Sequence, residues 1–157
     1  TPDTLGRDRI AAATGGQSLF PGHDVLVINA GTCITYDFVT GNREYAGGSI
    51  SPGMMMRFRA LHTFTGKLPL LSPDETEILT GNSTESSIQS GVMEGITAEM
   101  EGITGKYRSL YPELKVVLSG GDLNYFVNRL KINIFAFPNI VIQGLHQILK
   151  FNVDNPY

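Results

Sequence analysis

The chain has 157 residues, with 12 Lys plus Arg against 15 Asp plus Glu for a net charge of −3, and it is 41% hydrophobic and 17% charged. That is apolar enough to pack one domain and too weakly charged for a disordered, self-repelling chain. No clustered excess of Lys and Arg offers nucleic acid a groove, and no apolar run nears the roughly 18 residues that span a bilayer, so neither partner is expected.

The N-terminus lacks a basic segment followed by an apolar run, which disfavours a secretory leader. A single Cys33 allows no internal disulfide and has no companion ligands at zinc spacing, which fits a reducing, cytoplasmic setting. Glycine, at 18 of 157 residues, is well above the roughly 7% average, as a backbone that approaches a ligand closely would require. The chain opens at Thr1 in a turn-like Thr-Pro-Asp-Thr, as a piece of a longer protein would.

In chain order, Asp3 or Thr4 is placed to cap a first helix that includes Ile10 to Ala13, with Thr14-Gly15-Gly16 as its stop. Val25 to Ile28 is a short apolar run of the buried-strand type, and Cys33 to Val39 is a second β-rich run. Thr40-Gly41-Asn42 signals a hairpin, returning the chain from Arg43 towards Ile50 as an antiparallel strand. Ser51-Pro52 reads as a cap and first helical position for a helix through Met54, Met55, Phe58 and Leu61. Met54-Met55-Met56 reads as core filling, and Lys67 to Pro73 as loop.

From Thr84 a long amphipathic helix is predicted, its apolar residues Ile88, Val92, Ile96, Met100, Ile103 and Tyr107 recurring every three or four positions. The same helix carries a stripe of Gly91, Gly95, Ala98, Gly102 and Gly105. Each helical Gly costs roughly 1 kcal/mol relative to Ala, so a tight seam with another helix or a partner subunit is expected along it. Lys115 to Leu118 is a buried strand ending at Ser119-Gly120-Gly121-Asp122, followed by a helix from Leu123 to Leu130, a strand around Ile134 to Phe137 and a last helix from Ile142 to Phe151.

Three segments carry candidate chemistry. Asn29-Ala30-Gly31-Thr32, between two strands, suits an anion because Gly lets backbone N–H groups approach and the Thr hydroxyl adds a donor; an ordinary Gly turn is the competing reading. Ser119-Gly120-Gly121-Asp122, a strand end leading into a helix, has the same two readings. Gly6-Arg7-Asp8-Arg9 sets one carboxylate between two guanidinium groups: either a solvated charged turn, or a base beside cations that hold an anionic substrate. His23, His62 and His146 stand far apart without companion ligands and read as structural.

Taken together and in order, these segments resemble the type III pantothenate kinase pattern. The resemblance runs through Thr1-Pro2-Asp3-Thr4-Leu5-Gly6-Arg7-Asp8-Arg9, then Asn29-Ala30-Gly31-Thr32 with Thr35 and Asp37, then Gly47-Gly48-Ser49-Ile50-Ser51-Pro52-Gly53. It continues through Leu68-Pro69, Gly81-Asn82-Ser83-Thr84-Glu85 with Ile88-Gln89-Ser90-Gly91, Val117-Leu118-Ser119-Gly120-Gly121-Asp122 and Asn139-Ile140-Val141-Ile142-Gln143-Gly144-Leu145. Each motif is weak alone; together they span nearly the whole chain.

The resemblance implies an α/β, ribonuclease-H-like fold of the actin-like ATPase, acetate and sugar kinase superfamily, with a mixed sheet flanked by helices. It implies one such domain over residues 1–157, the C-terminal half of a two-domain kinase that binds ATP between its halves. The implied reaction is phosphorylation of pantothenate by ATP with Mg²⁺, the first step of coenzyme A biosynthesis. By the same resemblance Asp8 is the proton acceptor, and Gly6, Arg7 and Arg9 belong to the pantothenate-binding segment together with Thr84. Gly31, Thr32, Gly120 and Gly121 fall on the ATP side. The family position beside a monovalent cation, usually Asp, is Asn29, which offers an oxygen without charge and leaves dependence on potassium or ammonium open. The family forms homodimers, and the long helix from Thr84 is the candidate contact. The family's N-terminal phosphate loop has no counterpart in these residues, so the chain alone is expected to be inactive. A non-catalytic regulatory or binding protein on the same scaffold is the alternative.

Overall fold

The computed structural model describes residues 5–75 and 77–155. Its elements are α1 (Arg7–Leu19), β1 (Val25–Ala30), β2 (Cys33–Val39), β3 (Tyr45–Pro52), α2 (Met54–Thr63), α3 (Thr84–Leu110), β4 (Lys115–Ser119), α4 (Leu123–Phe126), β5 (Phe135–Ala136) and α5 (Ile140–Asp154). The strands form one sheet in the order β3-β2-β1-β4-β5. The hairpin pairs β1–β2 and β2–β3 are antiparallel, while β1–β4 and β4–β5 are parallel. This is a mixed α/β sheet flanked by helices, as expected.

Alternation along the central strands sends residues to two cores. Leu26, Ile28, Ile34, Tyr36, Phe38, Val116 and Leu118 pack with Ile88, Val92, Ile96 and Met100 of α3. Val25, Val27 and Val117 face the other way, against Ala12 of α1 and Ile140 of α5. A central strand buried on both sides reads as a continuous apolar run, which is why Val25 to Ile28 is recognisable in the sequence.

Helix α1 does not stop at Gly15-Gly16. A Cβ on Gly15 would stand 2.3 Å from the Ile140 carbonyl oxygen, one on Gly16 2.5 Å from Val27 Cγ2, and one on Gly144 1.7 Å from the Ala11 carbonyl oxygen. These glycines let α1 lie directly on α5 and on β1, and close packing keeps the helix intact through residues that would end it in isolation. The cap positions expected at Asp3 and Thr4 lie outside the described residues; Gly6 is the N-cap and offers no side-chain bond.

The glycine stripe of α3 behaves oppositely. A Cβ at Gly91, Gly95, Gly102 or Gly105 would meet nothing within 4 Å, so the seam expected there is not formed inside the chain, and the tight helix pair is α1 with α5. Other boundaries shift for local reasons. Ser51 and Pro52 complete β3, where an edge strand tolerates Pro, and Gly53 rather than Ser51 caps α2. Ser83 caps α3 in a reciprocal capping box with Ser86. α4 closes at Phe126, four residues short of Leu130, as tight turns carry Arg129 inward to the Glu75 carbonyl at 2.9 Å. Of the three consecutive methionines, Met54 is core, Met55 packs against it and Met56 is exposed.

On the α3 face one polar cluster ties four elements together. Tyr36 Oη and Ser51 Oγ donate to Glu99 Oε1 at 2.8 and 2.6 Å, and Arg57 Nη2 donates to Oε2 at 2.5 Å. Burial pushes the Glu99 carboxyl up, but the donors from Ser51, Arg57 and Tyr36 outweigh it and hold the group below the usual carboxylate range.

Two outcomes follow for unfolding experiments. Gly144→Ala is expected to cost about 1–3 kcal/mol by overpacking, whereas Gly95→Ala, at concentrations where the protein is monomeric, is expected to gain about 0.5–1 kcal/mol; a loss for the monomer in urea titration would put a neighbour from the same chain against the stripe. Glu99→Gln is expected to cost about 1–2 kcal/mol at neutral pH. Because the folded pKa of Glu99 is depressed, its contribution is complete above the unfolded carboxylate range and is lost as pH falls through the folded value. The gap between wild type and variant should therefore close on acidification, and a gap constant with pH would rule out the ionised carboxylate as its source.

Candidate active site

Strands β1 and β4 run parallel and end together, with Asn29 opposite Ser119. Beyond those ends, Gly31-Thr32 turns the chain into β2 and Gly120-Gly121 turns it towards α4. The two turns are joined at Ala30. Gly120 has a φ of +102°, a Cβ there would stand 2.1 Å from the Ala30 carbonyl oxygen, and the Asp122 N–H donates to that oxygen at 3.0 Å. From the other side the Gly53 N–H donates to the Thr32 carbonyl at 3.1 Å. Glycine is required at 120 by both the left-handed backbone and the close approach.

The outer side of the same turns is open. A Cβ on Gly31 or Gly121 would meet nothing within 4 Å, and Thr32 is exposed. In open α/β sheets, ligands lie beyond the carboxyl ends of parallel strands where the strand order switches, and β1, with parallel β4 on one side and antiparallel β2 on the other, is such a point. The Gly31 N–H is given to the Cys33 carbonyl at 3.0 Å, so the open space over the turns and the exposed Thr32 hydroxyl are what can receive an anionic group. Asp122 sits at the rim, its carboxyl pushed up by burial.

Helix α1 brings the second segment towards the same end of the sheet. Its Gln17 Nε2 donates to the His23 and Thr40 carbonyls at 3.1 and 2.8 Å, and two turns earlier Arg9 Nε donates to Asp37 Oδ1 at 2.8 Å. The helix N-terminus is thus directed along β2 towards Thr35, the cross-strand neighbour of Asn29. Arg7 and Asp8 are exposed in the first turn. A Cβ on Gly6 would stand 2.5 Å from Asp8 Oδ1, so the carboxylate lies back over a residue that has no side chain to displace it.

Arg9 is not a solvated charge. Its guanidinium Nη2 lies 2.7 Å from Asp37 Oδ1, with the Asp37 side chain wholly buried. Thr35 Oγ1 donates to Asp37 Oδ2 at 3.0 Å, and Tyr45 Oη to Oδ1 at 2.7 Å. Burial, then the bond to Asp37, pushes the Tyr45 phenol up to about 12, so it remains a proton donor throughout the neutral range. Sequence reasoning assigned Asp37 to a motif without giving it a task and passed over Tyr45. One signal was available: Asp37 alternates with Ile34, Tyr36 and Phe38 and so faces the other side of a strand buried on both faces, where a carboxylate needs a cation or several donors.

The structure does not bring Thr84 to this cluster. Thr84 opens α3 on the opposite face of the sheet, lining a groove with Met56, Arg57, Phe64, Leu68 and Asn82, while Arg9 lines a separate cleft with Leu5, Tyr45 and Gly48. Asn29, Thr35 and Ser119 are neighbours across three strands, with Asn29 half-buried between the two segments. His23 and His62 engage the Pro21 and Leu68 carbonyls through Nδ1. Among the described residues no group of three His, Cys, Asp or Glu side chains is gathered for a metal, and no helix is long and apolar enough to cross a membrane.

Comparisons with known proteins agree with one another over most of the chain. The family model for type III pantothenate kinase matches residues 1–106. Type III pantothenate kinases of Phocaeicola vulgatus and Christiangramia forsetii are 51% and 48% identical over 152 residues, covering 97% of this chain and 63% of each relative. The chain thus spans less than two thirds of the length of these curated relatives. A solved structure from Campylobacter jejuni, described as a Baf family transcriptional activator, superposes with a TM-score of 0.69 at 23% identity, over 97% of this chain and 67% of that one, and shows the shared fold. On the family match and the identity of these relatives, the chain belongs to the type III pantothenate kinase family.

Proposed function

We propose that this chain, within a protein of its relatives' length, phosphorylates pantothenate with ATP to give 4′-phosphopantothenate and ADP, the first step of coenzyme A biosynthesis. What supports this reading is that the two open glycine turns lie beyond the ends of β1 and β4, while the Arg9–Asp37 bond holds the first turn of α1, which bears Asp8, against β2 two residues from the cross-strand neighbour of Asn29. Phosphoryl transfer asks the protein mainly for alignment and for charge placed against the phosphates.

In this reading Gly31, Thr32, Gly120 and Gly121 receive the nucleotide, whose phosphates bring Mg²⁺ with them. Gly6, Arg7 and Arg9 form the wall against pantothenate, with Arg9 acting through its bond to Asp37. Asp8 accepts the proton of the substrate hydroxyl as that oxygen bonds to the γ-phosphorus and the bond to the ADP oxygen breaks. Asn29 supplies an amide oxygen, without charge, at the position for potassium or ammonium.

Thr84 lies across the sheet from Asp8, so one chain does not offer both to one pantothenate. We infer a homodimer in which the exposed stripe of α3 meets a second copy, so that Thr84 serves the partner subunit's pocket. Exposure of Gly91, Gly95, Gly102 and Gly105 supports it, since small residues in open space leave room for close approach. We place the enzyme in the cytoplasm, whose reducing conditions suit the lone half-buried Cys33.

The test is ATP-dependent phosphorylation of pantothenate by a protein of the relatives' full length. Asp8→Asn is expected to lower kcat by about 10²–10⁴-fold with the KM for ATP unchanged; full activity of the variant would remove Asp8 as the base. These 157 residues alone are expected to show no turnover, and measurable product from them would overturn the two-half reading. Omitting potassium and ammonium is expected to change the rate less than it does for an Asn29→Asp variant; a stronger dependence in the wild type would show that the amide suffices for the cation.

A further inference from the structure

We propose that Asp37 is a positioning residue for the reaction: together with Tyr45 and Thr35 it clamps the Arg9 guanidinium and thereby fixes the first turn of α1, and with it the Asp8 carboxylate. The inference rests on the kinase reading above. Three observations carry it.

The first is the state of the α1 N-terminus. Its N-cap, Gly6, makes no side-chain cap bond; only its carbonyl is used, by the Arg9 and Ile10 N–H groups at 3.0 and 3.2 Å, so no side chain of the cap anchors the first turn. The second is the distribution of contacts along α1. Its later turns are held by Gln17 and by the glycine seam with α5 and β1, whereas the Arg9 side chain ties the first turn to the sheet. The third is the built character of the clamp. The Asp37 side chain is wholly buried; its Oδ1 accepts from Arg9 Nε at 2.8 Å and Tyr45 Oη at 2.7 Å with Arg9 Nη2 also 2.7 Å away, and its Oδ2 accepts from Thr35 Oγ1 at 3.0 Å. Gly48 keeps the space clear, since a Cβ there would stand 2.8 Å from Arg9 Nη2. The guanidinium lines the cleft beside Tyr45 and Gly48, and its Nε bond to the buried carboxylate holds the first turn of the helix in place. The neighbouring exposed carboxylate, one residue earlier in the same turn, is what that helix presents.

The experiment uses the full-length protein and three readings. Asp37→Asn is expected to lower kcat on the order of 10²-fold, as misplacement of a reacting group by about 1 Å does, while the KM for ATP stays within about twofold because the nucleotide turns lie beyond the ends of other strands. Hydrogen exchange, which needs no turnover, should show faster exchange of the amides of residues 9–12 with α3 unchanged. Tyr45→Phe, which withdraws one donor and keeps the ion pair, should lower kcat by several-fold at unaltered thermal stability, and it decides the matter if Asp37→Asn does not fold. Unchanged kcat and unchanged exchange in a folded Asp37→Asn protein overturn the proposal, as does an equal loss of ATP affinity, which would mark a general structural role. If the wild type lacks pantothenate-dependent turnover, the kinase reading fails on its own, and exchange at residues 9–12 still decides whether Asp37 holds the helix.

Discussion

Burial of β1 on both faces is the constraint from which the rest of the molecule follows. A strand with Leu26 and Ile28 turned one way and Val25 and Val27 the other needs a helical layer on each side. Helices α2 and α3 cover one side and α1 with α5 the other, and the parallel partner β4 aligns its own carboxyl end with that of β1. Two loops that lie about ninety residues apart in the chain, as the numbers of Gly31 and Gly121 show, are thereby joined at the Ala30 carbonyl. The place where the apolar alternation gives way to Asn29 and Ser119 is where the packed core ends and polar chemistry becomes possible.

The two helical layers solve their packing differently. The α3 layer is assembled from large side chains, Ile88, Val92, Ile96 and Met100, each removed from water at a gain of about 1.5–3 kcal/mol when fully buried. The α1 layer is assembled from Ala and Gly, so its backbone approaches α5 and β1 closely and its position is set by steric fit rather than by rotamer choice. In the proposed reaction a helix of that kind is a firm mount for a reacting group provided its free end is tied down, and the Arg9–Asp37 pair ties the end that carries Asp8. A buried pair of this sort adds little net stability compared with an apolar filling, but removing one partner leaves an uncompensated charge, which makes the arrangement costly to alter.

Polar clusters on the two faces are alike in form and differ in placement. Glu99 gathers Tyr36, Ser51 and Arg57 on the α3 side, and Asp37 gathers Arg9, Thr35 and Tyr45 on the α1 side. Tyr36 and Asp37 are consecutive in β2, so neighbouring residues of one strand serve opposite faces. The first cluster fastens α2 and β3 to α3; the second fastens the first turn of α1 to β2 and β3.

Much of this was legible in the chain itself, because it depends on local rules. Strand alternation, the hairpin at Thr40-Gly41-Asn42 and the three-to-four spacing of the α3 apolar residues are properties of neighbouring positions, and the strands and the long helix occur where those rules put them. The family motifs, read in order, led to the same kinase family that the comparison with relatives shows. What local rules could not decide was the meaning of each glycine. Gly15 and Gly16 looked like a helix stop and are a contact surface, while the α3 glycines looked like a seam and face open space. A glycine's backbone freedom is visible in sequence, but whether that freedom is used for a turn, a close approach or nothing within the chain depends on which residues the fold places against it. The same holds for charge: Asp8 and Arg9 are adjacent in the chain, yet only the tertiary structure exposes one and spends the other on Asp37, since the energy of a charge is set by the solvent and partners around it.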